Sequence, residues 1–231
     1  LFYDKRLIRL ITESQSQKKV SIVLDVGTGQ GTDAILLSEN CDDVVAVDIS
    51  KKALLTAKIL SQLNKAQDNI SLIQSDAEHL PFKDEIFDVV YCKDVLHHVS
   101  NAVHSIHEMK RVAREKASII AVEANALNPQ MIAIGLIYYS IDNGVFKNTG
   151  SRLANIFLKE GLCNVQVTGR ECLPRHVFFE YRSPISRFLG SHNSFMLRFL
   201  ESIETKWQKH GFLSKFSNYL IVSGINKGSY V

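Results

Sequence analysis

Three of the chain's 12 glycines fall within five residues, in the run Leu24-Asp25-Val26-Gly27-Thr28-Gly29-Gln30-Gly31. Glycine admits positive φ and lets the backbone approach a ligand with no Cβ in the way, so the cluster predicts a ligand cradle at a strand-to-helix turn. A dinucleotide site wants G-x-G-x-x-G/A with a small third position. Here Thr32 stands at that position and the third glycine comes one residue early. Asp25, two residues before Gly27, would also repel a pyrophosphate. The spacing points to a small ligand other than a dinucleotide. His97 and His98 form a second grouping. Imidazole titrates near neutrality and can take a proton from an attacking group, with His97 the first candidate. Glu123, at the end of a strand-like run, could orient a substrate, cap a helix or lie in solvent. His104 and His107 stand three apart with no third ligand spaced to match, and the four cysteines (Cys41, Cys92, Cys163, Cys172) contain no C-x-x-C pair. No metal site is expected, and a reducing, cytoplasmic setting is.

Alternating strand-like and helix-period segments must position these groups. Strands are expected at Val20–Leu24, Val44–Val47, Ile70–Ile73, Phe87–Tyr91 and Ser118–Val122. Helices are expected over 32–40, 51–64 (burying Leu54, Leu55, Ile59 and Leu63) and 101–114, after an N-terminal helix over 2–13. Five strands joined by short crossovers describe a doubly wound α/β sheet, with ligand outside the carboxyl ends of the strands. Further on, helical patterns over 130–141, 152–159 and 194–209 surround two more strands, Asn164–Thr168 and Tyr219–Val222.

The glycine run resembles the first motif of class I S-adenosylmethionine-dependent methyltransferases, and the resemblance continues in register. Val47-Asp48-Ile49-Ser50 is similar to the family's second motif, Gln74-Ser75-Asp76-Ala77 to its third, and Phe87 to Val99, with Leu96-His97-His98, to the fourth-strand motif of the small-molecule branch (type 11) that includes the quinone-biosynthesis enzymes. The resemblance covers residues 20–125. It implies a Rossmann-like, mostly parallel seven-stranded sheet with S-adenosyl-L-methionine as cofactor. It also implies Asp48 on the ribose hydroxyls, Asp76 on the adenine amino group, Asp25 near the methionine end, and Gly27, Thr28, Gly29, Ile49, Ala77 and Lys93 as further cofactor contacts. Arg111-Val-Ala-Arg-Glu-Lys-Ala117 departs from the family's usual Arg-Val-Leu-Lys-Pro-Gly-Gly, a turn remote from the cofactor. No Asn/Asp-Pro-Pro-Tyr/Phe follows Tyr91, which disfavours methylation of a nucleobase amine or a glutamine by that mechanism.

Length and charge narrow the partners. A chain of 231 residues with 45% hydrophobic and 22% charged residues suits a single α/β domain, 1–231, rather than a disordered or fibrous chain. Its organisation is expected as a cofactor-binding half, 1–125, and a substrate-side half, 126–231, with a helical lid over about 170–215. The longest nearly apolar run, 131–141, is far short of the ~20 residues that span a bilayer, so no integral membrane segment is expected. The opening Leu1-Phe2-Tyr3 lacks an apolar signal core and reads as a trimmed chain rather than a secretory precursor. The net charge of +3 is unevenly placed, with nine basic and four acidic side chains in residues 170–231. Interleaved Phe178, Phe179, Tyr181 and Phe188 could suit single-stranded RNA, but no RNA-binding module is present and a nucleic-acid partner is not expected. The expected function is methyl transfer to a small, lipidic or anionic acceptor. The alternatives are a cofactor-binding subunit that needs a partner, or an RNA methyltransferase.

Overall fold

The computed structural model describes residues 20–129, 144–170 and 213–228, together with positions 131, 132, 136, 202, 203, 206 and 207. Its elements in chain order are β1 (Ile22–Val26), α1 (Thr32–Ser38), β2 (Asp43–Asp48), α2 (Lys51–Leu63), β3 (Ile70–Gln74), β4 (Phe87–Lys93), α3 (Ala102–Val112), β5 (Ala113–Ala124), α4 (Gly150–Lys159), β6 (Cys163–Arg170) and β7 (Tyr219–Ile225). The strands form one seven-stranded sheet of order β3-β2-β1-β4-β5-β7-β6. β1 lies parallel to both β2 and β4, β2 to β3, and β4 to β5. The order reverses at β1, so the carboxyl ends of β1 and β4 open the crevice where doubly wound sheets bind ligands.

The chain divides into two compact units. The first comprises residues 1–123, 151–166 and 222–231, and its core is the buried set that sequence periodicity marks. Val23, Leu24, Val89, Val90, Tyr91 and Ile119 from the strands meet Leu37, Ile106, Met109 and Phe157 from the helices. Each such aliphatic side chain contributes about 1.5–3 kcal/mol when fully buried. The second unit comprises 124–150 and 167–221. In it the buried Asn125 donates its amide to the carbonyls of Lys215 and Ser217, and Asn128 to that of Phe216, tying the segment after β5 to the approach to β7.

Local chemistry sets the boundaries. The Ser50 side chain accepts from Ala53 N and starts α2, and Asn101 accepts from the amides of Val103 and His104 and starts α3. Helix α3 ends at Val112 rather than Arg114, because Ala113 turns extended and pairs with Phe87, which lengthens β5 to twelve residues. β1 begins two residues later than its apolar run suggests and ends at Val26, directly against the glycine loop.

The largest difference is the face of α2. Leu54 is buried as expected, but Leu55, Ile59 and Leu63 are 56, 58 and 73% exposed, and Ala57 and Ser61 complete the inner face. The reason is a close approach to the glycine loop. A Cβ on Gly31 would lie 2.8 Å from Ala57 Cβ, so only small side chains fit there.

The helix expected over 2–13 lies outside the described residues, as does most of the expected lid over 170–215. Of the expected helix over 194–209, positions 202, 203, 206 and 207 are helical; of that over 130–141, so are positions 131, 132 and 136.

Candidate functional site

The glycine loop hangs on the end of β2. Gly27 N and Thr28 N both donate to the Val47 carbonyl at 2.8 and 2.9 Å, and Gly29 N donates to Asp48 Oδ2 at 2.8 Å. All three glycines take positive φ (71, 54 and 77°), as their clustering predicts. Gly27 is closed in, since a Cβ there would stand 2.3 Å from Val95 Cγ2. Gly29 is open, with no atom within 4 Å of the same position. The other oxygen of Asp48 accepts from Ser50 N at 2.8 Å. Each oxygen of this carboxylate is thereby fixed by one amide and keeps lone-pair capacity for a further donor.

Two adjoining cavities of about 360 and 380 Å³ open around the loop, and Gly27, Asp48 and Asp94 line both. One is walled further by Ile49, Asp76, Ala77, Val95 and His98. The other is walled by Asp25, Thr28, Gly29, Asp33 and Lys93. All nine residues named as cofactor contacts in the sequence thus line this pair of cavities. Asp76 accepts from Glu78 N at 2.9 Å, and Glu78 in turn accepts from the amides of Ser100 and Asn101, closing the rim. Arg111 stands in the segment that departs from the family pattern. It holds the same loop from below, donating to the carbonyls of Leu80 and Phe82 and to Glu108 and Asp84.

The site is acidic and partly dry. Asp25 is buried, and its Oδ2 has no hydrogen-bond partner, nor has Thr28 Oγ1. Burial, reinforced by the nearby Asp33 charge, pushes the Asp25 carboxyl from 3.8 up to about 7. Burial and the Glu123 charge push Asp94 up to about 6. Asp33, which periodicity does not single out, accepts from the Tyr91 hydroxyl at 2.8 Å and lies 3.5 Å from Lys93 Nζ. The signal was available, since Tyr91 and Lys93 alternate on one face of β4 and α1 carries its acid in the first turn. Orphaned buried acceptors beside an open glycine backbone fit a ligand that brings cationic and donor groups, and they disfavour a pyrophosphate.

The two catalytic candidates fall together, but away from the cavity walls. His97 Nδ1 lies 2.6 Å from Glu123 Oε2, and Glu123 Oε1 accepts from Val95 N at 3.0 Å and Leu96 N at 2.6 Å. Both side chains are buried, Glu123 completely, so neither solvent exposure nor helix capping describes Glu123. Of the two adjacent histidines it is His98 that lines a cavity. Asp94, His97 and Glu123 also bring possible ligand atoms within 4.8 Å of one another, a cluster that spacing in the sequence does not reveal. On α3, His107 lies 3.0 Å from Glu160, and the His104 ring meets His79.

A seven-stranded sheet of this order, with a glycine loop after β1 and an acid closing β2, defines a class I methyltransferase fold. Residues 24–121 match the family model described as a methyltransferase domain, and over these residues the chain is similar to the class I methyltransferases. Among curated relatives, an uncharacterized methyltransferase, YcgJ of Bacillus subtilis, is 32% identical over 101 residues, 44% of this chain and 40% of the relative. A demethylmenaquinone methyltransferase of Beutenbergia cavernae is 33% identical over 101 residues, again 44% of this chain and 40% of the relative. The chain thus aligns with less than half the length of these relatives. The crystal structure of Bacillus subtilis YcgJ superposes with a TM-score of 0.68 at 21% identity, covering 99% of this chain and 100% of that one. A Haemonchus contortus phosphoethanolamine N-methyltransferase in complex with S-adenosylmethionine gives a TM-score of 0.68 at 16% identity, over 98% of this chain and 53% of that one. At these identities the structural matches speak for the fold alone. Among the described residues no helix is long and apolar enough to cross a membrane.

Proposed function

We propose that the chain transfers a methyl group from S-adenosylmethionine to a small-molecule acceptor, lipidic or anionic in character. The observation that carries this reading is the Asp48 carboxylate, held by Gly29 N and Ser50 N where the two cavities meet. In the proposed complex Asp48 takes the two ribose hydroxyls, and Asp76 takes the adenine amino group between Ile49 and Ala77. Asp25, Gly27, Thr28, Gly29 and Lys93 hold the methionine end. When bound, the cofactor supplies a methyl group on a sulfonium, already activated for displacement. The chain's own work is to attract, align and desolvate. Asp25, Asp33, Asp48 and Asp94 outnumber Lys93 in the cavity walls and favour a cationic ligand. Fixing the acceptor in line with the methyl group supplies much of the rate by proximity.

We assign His97 and Glu123 to bracing the loop after β4 rather than to proton transfer, in keeping with their burial. The surplus of positive charge in residues 170–231 supports an anionic acceptor. The relatives' names, a demethylmenaquinone methyltransferase and a 27-O-demethylrifamycin SV methyltransferase among them, support a small molecule over RNA. Among the described residues Cys41, Cys92 and Cys163 form no disulfide, which supports a cytoplasmic setting.

Equilibrium dialysis of labelled S-adenosylmethionine tests the reading. Wild type should bind, and Asp48→Ala should bind at least about tenfold more weakly, since two hydroxyl partners of a carboxylate are lost. Label should then pass to a small-molecule or lipid fraction of a cell extract. Undetectable binding by wild type at about 1 mM cofactor, or label entering RNA alone, would overturn it.

A further inference from the structure

A surface helix needs one apolar stripe, and α2 carries two. Its inner stripe, Leu54, Ala57 and Ser61, is buried against the domain. Its outer stripe, Leu55, Ile59 and Leu63, is more than half exposed, and nothing in the packing of the described residues calls for it. At 100° per residue these three side chains span an arc of about 80°, on the side away from Ala57. Lys51 and Lys58 border that arc, Lys52 lies within it, and Lys65 follows the helix end, all four exposed. From Ile49 to Gln67 there is no acidic residue.

The charge pattern selects the occupant. A second copy of this chain, docked face to face, would bring the lysine-bordered stripe against its own like, with no acid on the segment to answer it. A surface that is apolar beneath and anionic at its rim complements both features. Aliphatic side chains enter the acyl boundary while lysines meet the headgroups, the arrangement by which amphipathic helices lie on membranes. We infer that α2 docks the protein on an anionic lipid surface as a peripheral contact, through Leu55, Ile59 and Leu63 with Lys51, Lys52 and Lys58. The inference is independent of the acceptor, because none of these side chains lines the two cavities.

Co-sedimentation of the full chain with vesicles provides the test. Wild type should sediment with phosphatidylcholine vesicles containing phosphatidylglycerol, sediment little with phosphatidylcholine alone, and be released as salt rises. Leu55→Gln/Ile59→Gln should lower the partition coefficient at least tenfold with an unchanged circular dichroism spectrum. Lys52→Gln/Lys58→Gln should weaken binding and flatten its salt dependence, and this pair keeps the test informative if the first variant misfolds. No sedimentation of wild type with anionic vesicles would overturn the inference. So would sedimentation of both double variants as complete as that of wild type, which would place the contact on the basic segment 170–231. A wild-type dimer that dissociates in Leu55→Gln/Ile59→Gln would overturn it too, by giving the stripe to a second copy.

Discussion

If Asp25 holds the cation of the proposed cofactor, it couples stability to binding, and Asp25→Asn tests the two separately. In the folded chain its carboxyl is pushed from 3.8 up to about 7, chiefly by burial and then by the charge of Asp33. Between those values the folded chain keeps a proton that the unfolded chain releases, so stability is full below about pH 4 and falls as pH rises to about 7. Three units correspond to roughly 4 kcal/mol, a large part of the 5–15 kcal/mol typical of a domain. Asparagine cannot ionise. The stability difference between Asp25→Asn and wild type should therefore grow in favour of the variant by roughly 3 kcal/mol from about pH 4.5 to about pH 8. Asp94, raised to about 6, titrates in both chains and cancels from the difference. The assay is urea unfolding of the ligand-free proteins across that range, followed by circular dichroism. A difference that stays flat with pH would refute the account of Asp25. The same variant should bind S-adenosylmethionine more weakly above about pH 7, where wild type offers a counter-charge to the bound cation.

Two further substitutions probe the scaffold. Glu123→Ala strands two buried amides and the His97 ring, and at about 1–3 kcal/mol per lost partner it should cost roughly 3–9 kcal/mol in chemical denaturation. Glu123→Gln, which keeps the acceptor for Val95 and Leu96, should cost less than half as much, and equal losses would show that the hydrogen bonds are not what matters. Gly27→Ala combines a left-handed backbone with a 2.3 Å clash on Val95 and should destabilise by roughly 2–5 kcal/mol. Gly29→Ala meets no protein atom within 4 Å and should cost about 1–2 kcal/mol while lowering cofactor affinity by the larger factor. Calorimetric titration of both variants reads the contrast, which fails if the two behave alike.

The elements that carry the cofactor side were legible because their signals are local. Short apolar runs between turn formers become buried parallel strands, and glycines that need positive φ announce the loop. The acids at strand ends fall where a doubly wound sheet must place them, so Asp25, Asp48 and Asp76 reach one pair of cavities. Local periodicity was less informative where a neighbouring element decides. Leu55, Ile59 and Leu63 keep helical spacing with Leu54, yet they face outward because Gly31 admits only Ala57 at the crossing of α2 with the glycine loop. Ala113 continues a helical pattern but leaves the helix to pair with Phe87. The partnership of Glu123 with His97 spans 26 residues and joins β5 to the loop after β4, a contact that exists only once those strands lie side by side. Residue types and spacing, with the motif resemblance, determined the fold class and the residues that line the two cavities. Only the tertiary structure decided which of those groups are buried, which carboxyls share a pocket that raises their pKa values, and which apolar face stays exposed, because burial and charge coupling depend on what packs against a residue rather than on what precedes it.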